Sequence, residues 1–320
     1  MKTNKYMMLA TAAIALALTA CNNEDTENNG LVAARVTAGV NSLGTRALDT
    51  TWESDIIGVM VTKAPTSNMT ALYKNVKYAT TANSSGAASF TAETGMGIFF
   101  HDAAETVTFA AYAPYQASAA NALPGTDGVV SGSTESQNTR ERQKAFDYLY
   151  TSSATASFTS PQVSFAGAHA FQHKMARLVI VVKTDPNAGF AATDVTTGTY
   201  SLTGLTHSGS FNVTTGEAKA TAAATTSTAW SLTDNSLKTA GNDQVTFNSI
   251  LYPQTLSNAL TFQATIGGQN YKTDYSLSEL QSGYSYTFTV TVKKTGLEIS
   301  GATVSDWNTD TSTDGIANMY

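Results

Sequence analysis

Alternation of polar and apolar residues with a period of two restricts the fold of this chain more than any other feature. It is clear in three stretches, residues 106–112, 245–251 and 284–292. Side chains of a β-strand point alternately to the two faces of a sheet, so such stretches predict strands. Helical periodicity is nearly absent, and threonine, which suits a pleated surface, makes up about one residue in six. Polar turns such as Gly267-Gly268 separate the strands. The sequence therefore predicts an all-β protein built of sandwiches.

Three stretches are predicted to differ from this pattern. Residues 277–281 predict a short helix, because Ser276 and Glu279 have the spacing of a capping box. Residues 134–144 are rich in charged and polar side chains and predict an exposed loop. Residues 218–228 are almost all alanine and threonine and predict an edge strand or a surface loop.

The N-terminal segment has the pattern of an export signal. Lys2 and Lys5 precede an apolar run that is too short to span a bilayer and ends as Leu18-Thr19-Ala20-Cys21. This ending resembles the lipobox of bacterial lipoproteins. The resemblance implies that residues 1–20 are a signal peptide and that Cys21 is lipidated, which would tether the chain to the outer membrane. The alternative is an ordinary secretory signal with a coincidental cysteine.

Composition excludes several stabilising and binding chemistries. Cys21 is the only cysteine, so the exported chain has no disulfide and must be stabilised by buried surface. The formal charge of −6 argues against nucleic acid as a partner. The length suits two domains, with the boundary expected near residues 160–175 after a Ser/Thr-rich stretch.

No motif predicts catalysis, a metal site or a cofactor. His169 and His173 are four residues apart but flank a strand-like segment, where that spacing is about 13 Å and too long for one ion. His173 is expected to be a packed or rim side chain. Carboxylates are scattered, and no two are placed as an acid/base pair. The sequence predicts that the protein is not an enzyme.

Tryptophan could stack on sugars, and the chain has three. Trp52 and Trp307 are expected to pack in the core. Trp230 lies beside the alanine/threonine stretch and is the best candidate for an exposed side chain that contacts a glycan.

A series of local patterns, in this order, resembles the fimbrillin family, the lipoprotein subunits of type V pili with their anchor and tip relatives. The patterns are Thr45-Arg46-Ala47, residues 52–59, 109–115, 147–149, 171–181, 280–286 and 305–307. The resemblance covers roughly residues 20–310. It implies two transthyretin-like β-sandwich domains in tandem, at 47–166 and 167–320, preceded by a lipidated leader at 21–46. It also implies a structural or adhesive role in a fimbrium at the cell surface, without cofactor.

The leader contains a strand that the resemblance implies is removable. Residues 31–40 alternate and predict a half-buried strand, whose inward residues would give about 5–7 kcal/mol of gross apolar stabilisation. Those inward residues are Val32, Ala34, Val36, Ala38 and Val40. In the family the first strand is cut away by an arginine-specific protease, and a strand of a neighbouring subunit fills the groove. Arg46 and Ala47 match the cleavage position, while Arg35, Arg140 and Arg142 are competing targets.

The sequence alone decides neither which segment donates a strand to a neighbouring subunit nor which role the protein has in the fimbrium. Leu297, Ile299 and Val304 could form a donor or the last strand of the second domain, and the tail after Trp307 is mostly polar. The leading hypothesis is a pilus subunit that joins other subunits by strand exchange. The alternatives are a monomeric surface lipoprotein that binds a host protein or glycan through Trp230, and a secreted hydrolase.

Overall fold

The structure is a computed structural model. It describes residues 30–40, 52–65, 72–81, 83–84, 86–222, 228–241 and 243–307. Within these ranges nearly all of the regular secondary structure is β-strand, accompanied by three short α-helices and the 3-10 turn Gly167–His169. None of the helices in the described ranges is long and apolar enough to cross a bilayer. Cys21, Arg46 and Ala47, on which the predicted lipidation and processing fall, lie outside the described residues.

The described residues up to 173 form thirteen strands and one α-helix. The elements are β1 Val32–Ala33, β2 Arg35–Ala38, β3 Trp52–Glu53, β4 Ile56–Lys63, β5 Val76–Ala79, β6 Asn83–Ser84, β7 Ala88–Phe90, β8 Phe99–Phe100, β9 Thr106–Ala113, β10 Val129–Ser133, α1 Arg140–Phe146, β11 Leu149–Ser157, β12 Gln162–Phe165, the 3-10 turn Gly167–His169 and β13 Gln172–His173.

The described residues from 174 to 307 form another thirteen strands and two short helices. The elements are β14 Ala176–Thr184, α2 Ala192–Thr197, β15 Thr199–Thr203, β16 Ser208–Asn212, β17 Glu217–Ala220, β18 Trp230–Ser231, α3 Leu232–Asn235, β19 Leu237–Ala240, β20 Gln244–Leu251, β21 Gln254–Thr255, β22 Leu260–Ile266, β23 Gln269–Tyr275, β24 Glu279–Leu280, β25 Tyr284–Lys293 and β26 Gly296–Asp306.

Two groups of sheets enclose separate cores. In the first, a five-stranded sheet of order β13-β11-β9-β4-β5 faces a three-stranded sheet of order β12-β2-β7. In the second, a five-stranded sheet of order β19-β20-β14-β25-β26 faces a four-stranded sheet of order β18-β15-β22-β23. The predicted all-β, sandwich-like architecture is confirmed, because each sheet buries one face against its partner.

A third buried cluster joins the two groups. Strand β10 pairs with β16 and not with the other strands of the first part, and β16 pairs with β17 at the edge. Tyr148 stacks on Phe211 there, with ring centroids 4.4 Å apart. Apart from β10, the strands up to β13 belong to the first group of sheets and those from β14 onward to the second or to the edge sheet of β16 and β17. The domain boundary expected near residues 160–175 stays a prediction.

Two local predictions are wrong. Residues 277–281 are not helical, since they contain the short strand β24, which pairs with β21. The predicted loop at 134–144 instead contains the first five residues of α1, which begins after Thr139, whose hydroxyl accepts a hydrogen bond from the Arg142 backbone N–H. Strand β17, at a sheet edge, agrees with the edge-strand prediction for the start of 218–228.

Candidate strand-exchange groove

The strand predicted over residues 31–40 is present as two short strands, β1 and β2, and β2 is the central strand of its three-stranded sheet. Strand β2 pairs in parallel with β12, placing Ala38 beside Phe165, and antiparallel with β7, placing Ala38 beside Ala88. Strand β1 continues the pairing against β8. The segment therefore fills a groove whose two walls, β7 and β12, come from distant parts of the chain.

The inward face of this segment matches the predicted alternation. Ala34, Val36 and Ala38 are 8%, 2% and 0% exposed, while Val32 and Val40 at the two ends are half-buried. Arg35, on the opposite face, is exposed. The segment therefore presents a narrow apolar face made of small and β-branched side chains.

Four aromatic rings line the core next to this face. The Trp52 ring centroid lies 5.0 Å from that of Phe90 and 5.4 Å from that of Phe171, in edge-to-face arrangements. Phe171 lies 5.9 Å from Phe165. Trp52 also donates a hydrogen bond of 2.8 Å from Nε1 to the backbone carbonyl of Ala38. The predicted packing role of Trp52 is confirmed, since its side chain is buried.

The backbone of the segment is bonded on both sides. The amide of Gly39 donates to the carbonyl of Phe165, and the amide of Phe171 donates to the carbonyl of Gly39, each at 2.8 Å. The amide of Ala34 donates to the carbonyl of Ile98 at 2.8 Å. Removing the segment would leave two strand edges unpaired above an exposed aromatic core, a combination that favours the addition of another strand.

The described arginines all lie in regular structure. Arg35 belongs to β2, Arg140 and Arg142 to α1, and Arg177 to β14. Arg140 donates to Glu53 at 2.8 Å, and Arg142 donates to Ser136 at 2.7 Å. The competing protease targets therefore lie in a paired strand or in a helix.

Trp230 is not the exposed side chain that its position predicts. It is only 6% exposed, and Nε1 donates to the carbonyl of Glu135 at 2.8 Å. Its ring lies 4.4 Å from that of His207, whose pKa is lowered to about 4 by burial. A buried indole offers no open face on which a sugar could stack, so the reason for choosing Trp230 as a glycan contact is removed.

The predicted separation of the histidine pair is consistent with their different partners. His173 is buried, as expected for a packed side chain, with Nδ1 2.7 Å from Asp147 Oδ1 and its ring stacked 3.9 Å from that of Trp307. His169 Nδ1 instead lies 3.1 Å from the carbonyl oxygen of Ser152. Among the described residues, no group of three or more metal-ligating side chains converges.

The buried Asp147–His173–Trp307 cluster was missed by reasoning from the sequence. Its members come from three separate segments, and the one signal was that each lies in a family-like pattern, at 147–149, 171–181 and 305–307. The cation of Arg177 lies 6.0 Å from the Trp307 ring centroid. This cluster packs β13 of the first group of sheets against Trp307, which follows β26 of the second.

Comparisons with known proteins agree on one family. Residues 45–307 match a family model described as fimbrillin-like. The chain is 31% identical over 318 residues, 95% of each chain, to a candidate fimbrium subunit, Fim1C, of Bacteroides uniformis. Among solved structures, it is similar to a candidate cell adhesion protein of Bacteroides ovatus, with a TM-score of 0.70, 27% identity and coverage of 86% of this chain and 98% of that one. A candidate cell adhesion protein of Bacteroides uniformis has a TM-score of 0.66 and 25% identity, with coverage of 88% and 100%.

Proposed function

The chain belongs to the fimbrillin-like family, and from that premise we propose that it is exported as a lipoprotein and assembled into a pilus by protease-triggered strand exchange. Membership makes it a structural or adhesive pilus subunit at the cell surface. The single observation that carries the proposed mechanism is the position of β2 at the centre of its three-stranded sheet. Cleavage after Arg46 would free this strand, and a strand of another subunit would take its place.

The order of the strands along the chain favours this mechanism. Both walls of the groove, β7 and β12, lie after residue 46, as does β8, which pairs with β1. A single cut between residues 46 and 47 therefore cuts the one covalent link of the segment to its groove. Only non-covalent pairing and burial would then hold it, and a competing strand could displace it.

The described arginines support selective cleavage at Arg46. Proteases bind their substrates in an extended conformation, so a target within a helix or a paired strand must first unfold locally. Arg35, Arg140, Arg142 and Arg177 all lie in such elements. Their protection would direct an arginine-specific protease to Arg46, the remaining one of the five arginines in the sequence.

The residues that could form a donor strand belong to a described strand. Leu297, Ile299 and Val304 lie in β26, which pairs with β25 at ten positions and forms the edge of the second five-stranded sheet. They are thus part of the last strand of that sheet. Donation from this segment to another subunit would require its pairing with β25 to break.

Anchoring is the second part of the proposal. The lipobox-like ending at Cys21 supports attachment to the outer membrane through a lipid. A Cys21→Ser variant expressed in the organism's own cells is expected to lose metabolic labelling with palmitate and to leave the membrane fraction. Labelling that persists in this variant would contradict lipidation at Cys21.

The processing step can be tested with an Arg46→Lys variant, which keeps the positive charge but is not a substrate for an arginine-specific protease. Pili sheared from cells that express the parent chain should contain SDS-resistant multimers whose subunits begin at Ala47. The variant should be absent from the multimers and should keep its leader. Normal incorporation of the variant, or a parent chain that keeps residues 21–46 within the multimers, would overturn the proposed mechanism.

A further inference from the structure

Trp52 and its neighbours define what kind of strand this groove can accept. We infer that the groove selects a partner strand that carries a small residue, alanine or glycine, at the position of Ala38, with an aliphatic β-branched residue two positions earlier. This inference rests on the proposed strand exchange and goes further. It specifies which side chains the partner strand must carry, and it identifies Trp52 as the groove residue that selects them. The occupant is a β-strand of another subunit.

The first support is the cross-strand row at Ala38. In that row Ala38 lies between Ala88 on β7 and Phe165 on β12, and all three side chains are buried. In the row two residues earlier, Val36 lies between Phe90 and Val163. Directly opposite side chains on one face of a sheet touch each other. The space available to one side chain in a row is therefore limited by the size of the other two. Each row contains one phenylalanine, so the limit on size at Ala38 comes from the rings packed beside its row.

The second support is the aromatic core beside this row. Trp52, Phe90, Phe165 and Phe171 belong to the same buried cluster as Ala38, and their edge-to-face packing holds each ring in place. Ala38 has no exposed surface. Adding carbons in such a close-packed interior forces neighbouring rings off their preferred geometry. A large side chain at this position would therefore be excluded.

The third support is the hydrogen bond that fixes the register. Trp52 Nε1 donates to the carbonyl of Ala38 at 2.8 Å in a buried site. A buried donor left without an acceptor is costly, so an incoming strand must place a carbonyl at this point. A shift by one residue would turn every side chain to the other face. Trp52 lies after residue 46, so it stays with the groove when the original strand leaves.

These requirements can be tested with synthetic peptides. The probe is a fluorescently labelled peptide of residues 28–42, offered in excess to the full chain that has been cut after Arg46, and incorporation is measured by size-exclusion chromatography. The Ala38→Leu peptide is expected to incorporate at least about tenfold less than the parent peptide. The Ala33→Leu peptide is the matched control: residue 33 is half-buried and lies outside the inward-facing set, so it should stay within about twofold of the parent.

A variant of the groove provides the reciprocal test. Trp52→Leu removes the large ring and its N–H, so incorporation of the Ala38→Leu peptide relative to the parent peptide should rise by at least about threefold. Equal incorporation of the Ala38→Leu and parent peptides into the unaltered groove would overturn the size selection. If no peptide at all enters the cut chain, strand exchange itself fails, and this inference is overturned together with it. If the Trp52→Leu chain does not fold, the comparison of the Ala38→Leu and parent peptides in the unaltered groove decides the question.

Discussion

Replacing Val36 with alanine tests how firmly β2 is held in its groove. The change removes two buried carbons between Phe90 and Val163, at a position that is 2% exposed. Loss of their transfer free energy costs about 1.6 kcal/mol. The space left among the aromatic side chains raises the expected destabilisation to about 2–3 kcal/mol.

The same free energy should appear in two measurements. In urea unfolding of the uncut chain, the free energy of unfolding of the part containing this groove should fall by about 2–3 kcal/mol. In the chain cut after Arg46, the segment should dissociate about 30- to 140-fold faster, because each 1.4 kcal/mol corresponds to a factor of about ten. Release is followed by size-exclusion chromatography after dilution.

The neighbouring residue supplies the control. Thr37→Ala changes the opposite face of the same strand, where the hydroxyl accepts only an exposed hydrogen bond of 3.2 Å from Gln162. It should cost less than about 1 kcal/mol and alter release by less than about fivefold. Equal effects at positions 36 and 37, or unchanged release in Val36→Ala, would refute the claim that inward burial holds the strand.

Three further predictions concern the second core and the junction. Burial lowers the pKa of His207 from 6.5 to about 4, so its neutral form contributes stability that is complete above pH 6.5 and is lost as the pH falls to 4. The free energy of unfolding of the parent chain should therefore be up to about 3 kcal/mol lower at pH 4.5 than at pH 7.5 through this histidine. In His207→Gln that difference should be absent, as measured by urea unfolding at the two pH values. Asp147→Ala removes the carboxylate 2.7 Å from buried His173 and should cost about 3 kcal/mol in unfolding free energy. Gly209→Ala would place a Cβ 2.3 Å from the Tyr252 ring and should lower the melting temperature by several degrees.

Matched controls separate these effects from general sensitivity to mutation. Glu217→Ala removes an exposed ion pair with Lys219 and should cost under about 1 kcal/mol, in contrast to Asp147→Ala. At Gly39 an added Cβ would meet its nearest neighbours at 3.8 Å or more, so Gly39→Ala should be tolerated. A Gly209→Ala chain as stable as Gly39→Ala, or an unchanged pH slope in His207→Gln, would contradict the respective reasoning.

Strands with clear alternation were predictable because their signal is local. The stretches at 106–112, 245–251 and 284–292 became β9, β20 and β25, and their boundaries differ by at most one residue. The inward set of residues 31–40 was also correct, since burial of one face follows directly from the period of two. Neither result needed knowledge of the partner strands.

Predictions failed where distant contacts decide the local structure. The capping-box spacing at Ser276 favours a helix, but pairing of β24 with β21 overrides so weak a preference. Helix α1 has too few apolar residues to show a helical period, and it is stabilised by buried Gln143, whose Nε2 donates to the Asn248 carbonyl at 2.6 Å. Trp230 is buried by Glu135 and His207, which lie 95 and 23 positions away in the chain.

The centrality of β2 could not be predicted from the sequence, and it has the greatest consequence for function. Alternation shows that one face of a strand is buried, but an edge strand and a central strand give the same pattern. Pairing of β2 on both sides arises because β7 and β12 return to it from later in the chain. Because β2 pairs on both sides, the segment is firmly held. Because β7 and β12 both follow residue 46, a single cut there leaves the groove intact in one piece of the chain. If one of these two strands preceded the cut, the cut would divide the groove itself. The proposed strand exchange would therefore depend on where the neighbours of β2 lie in the sequence as much as on its apolar face.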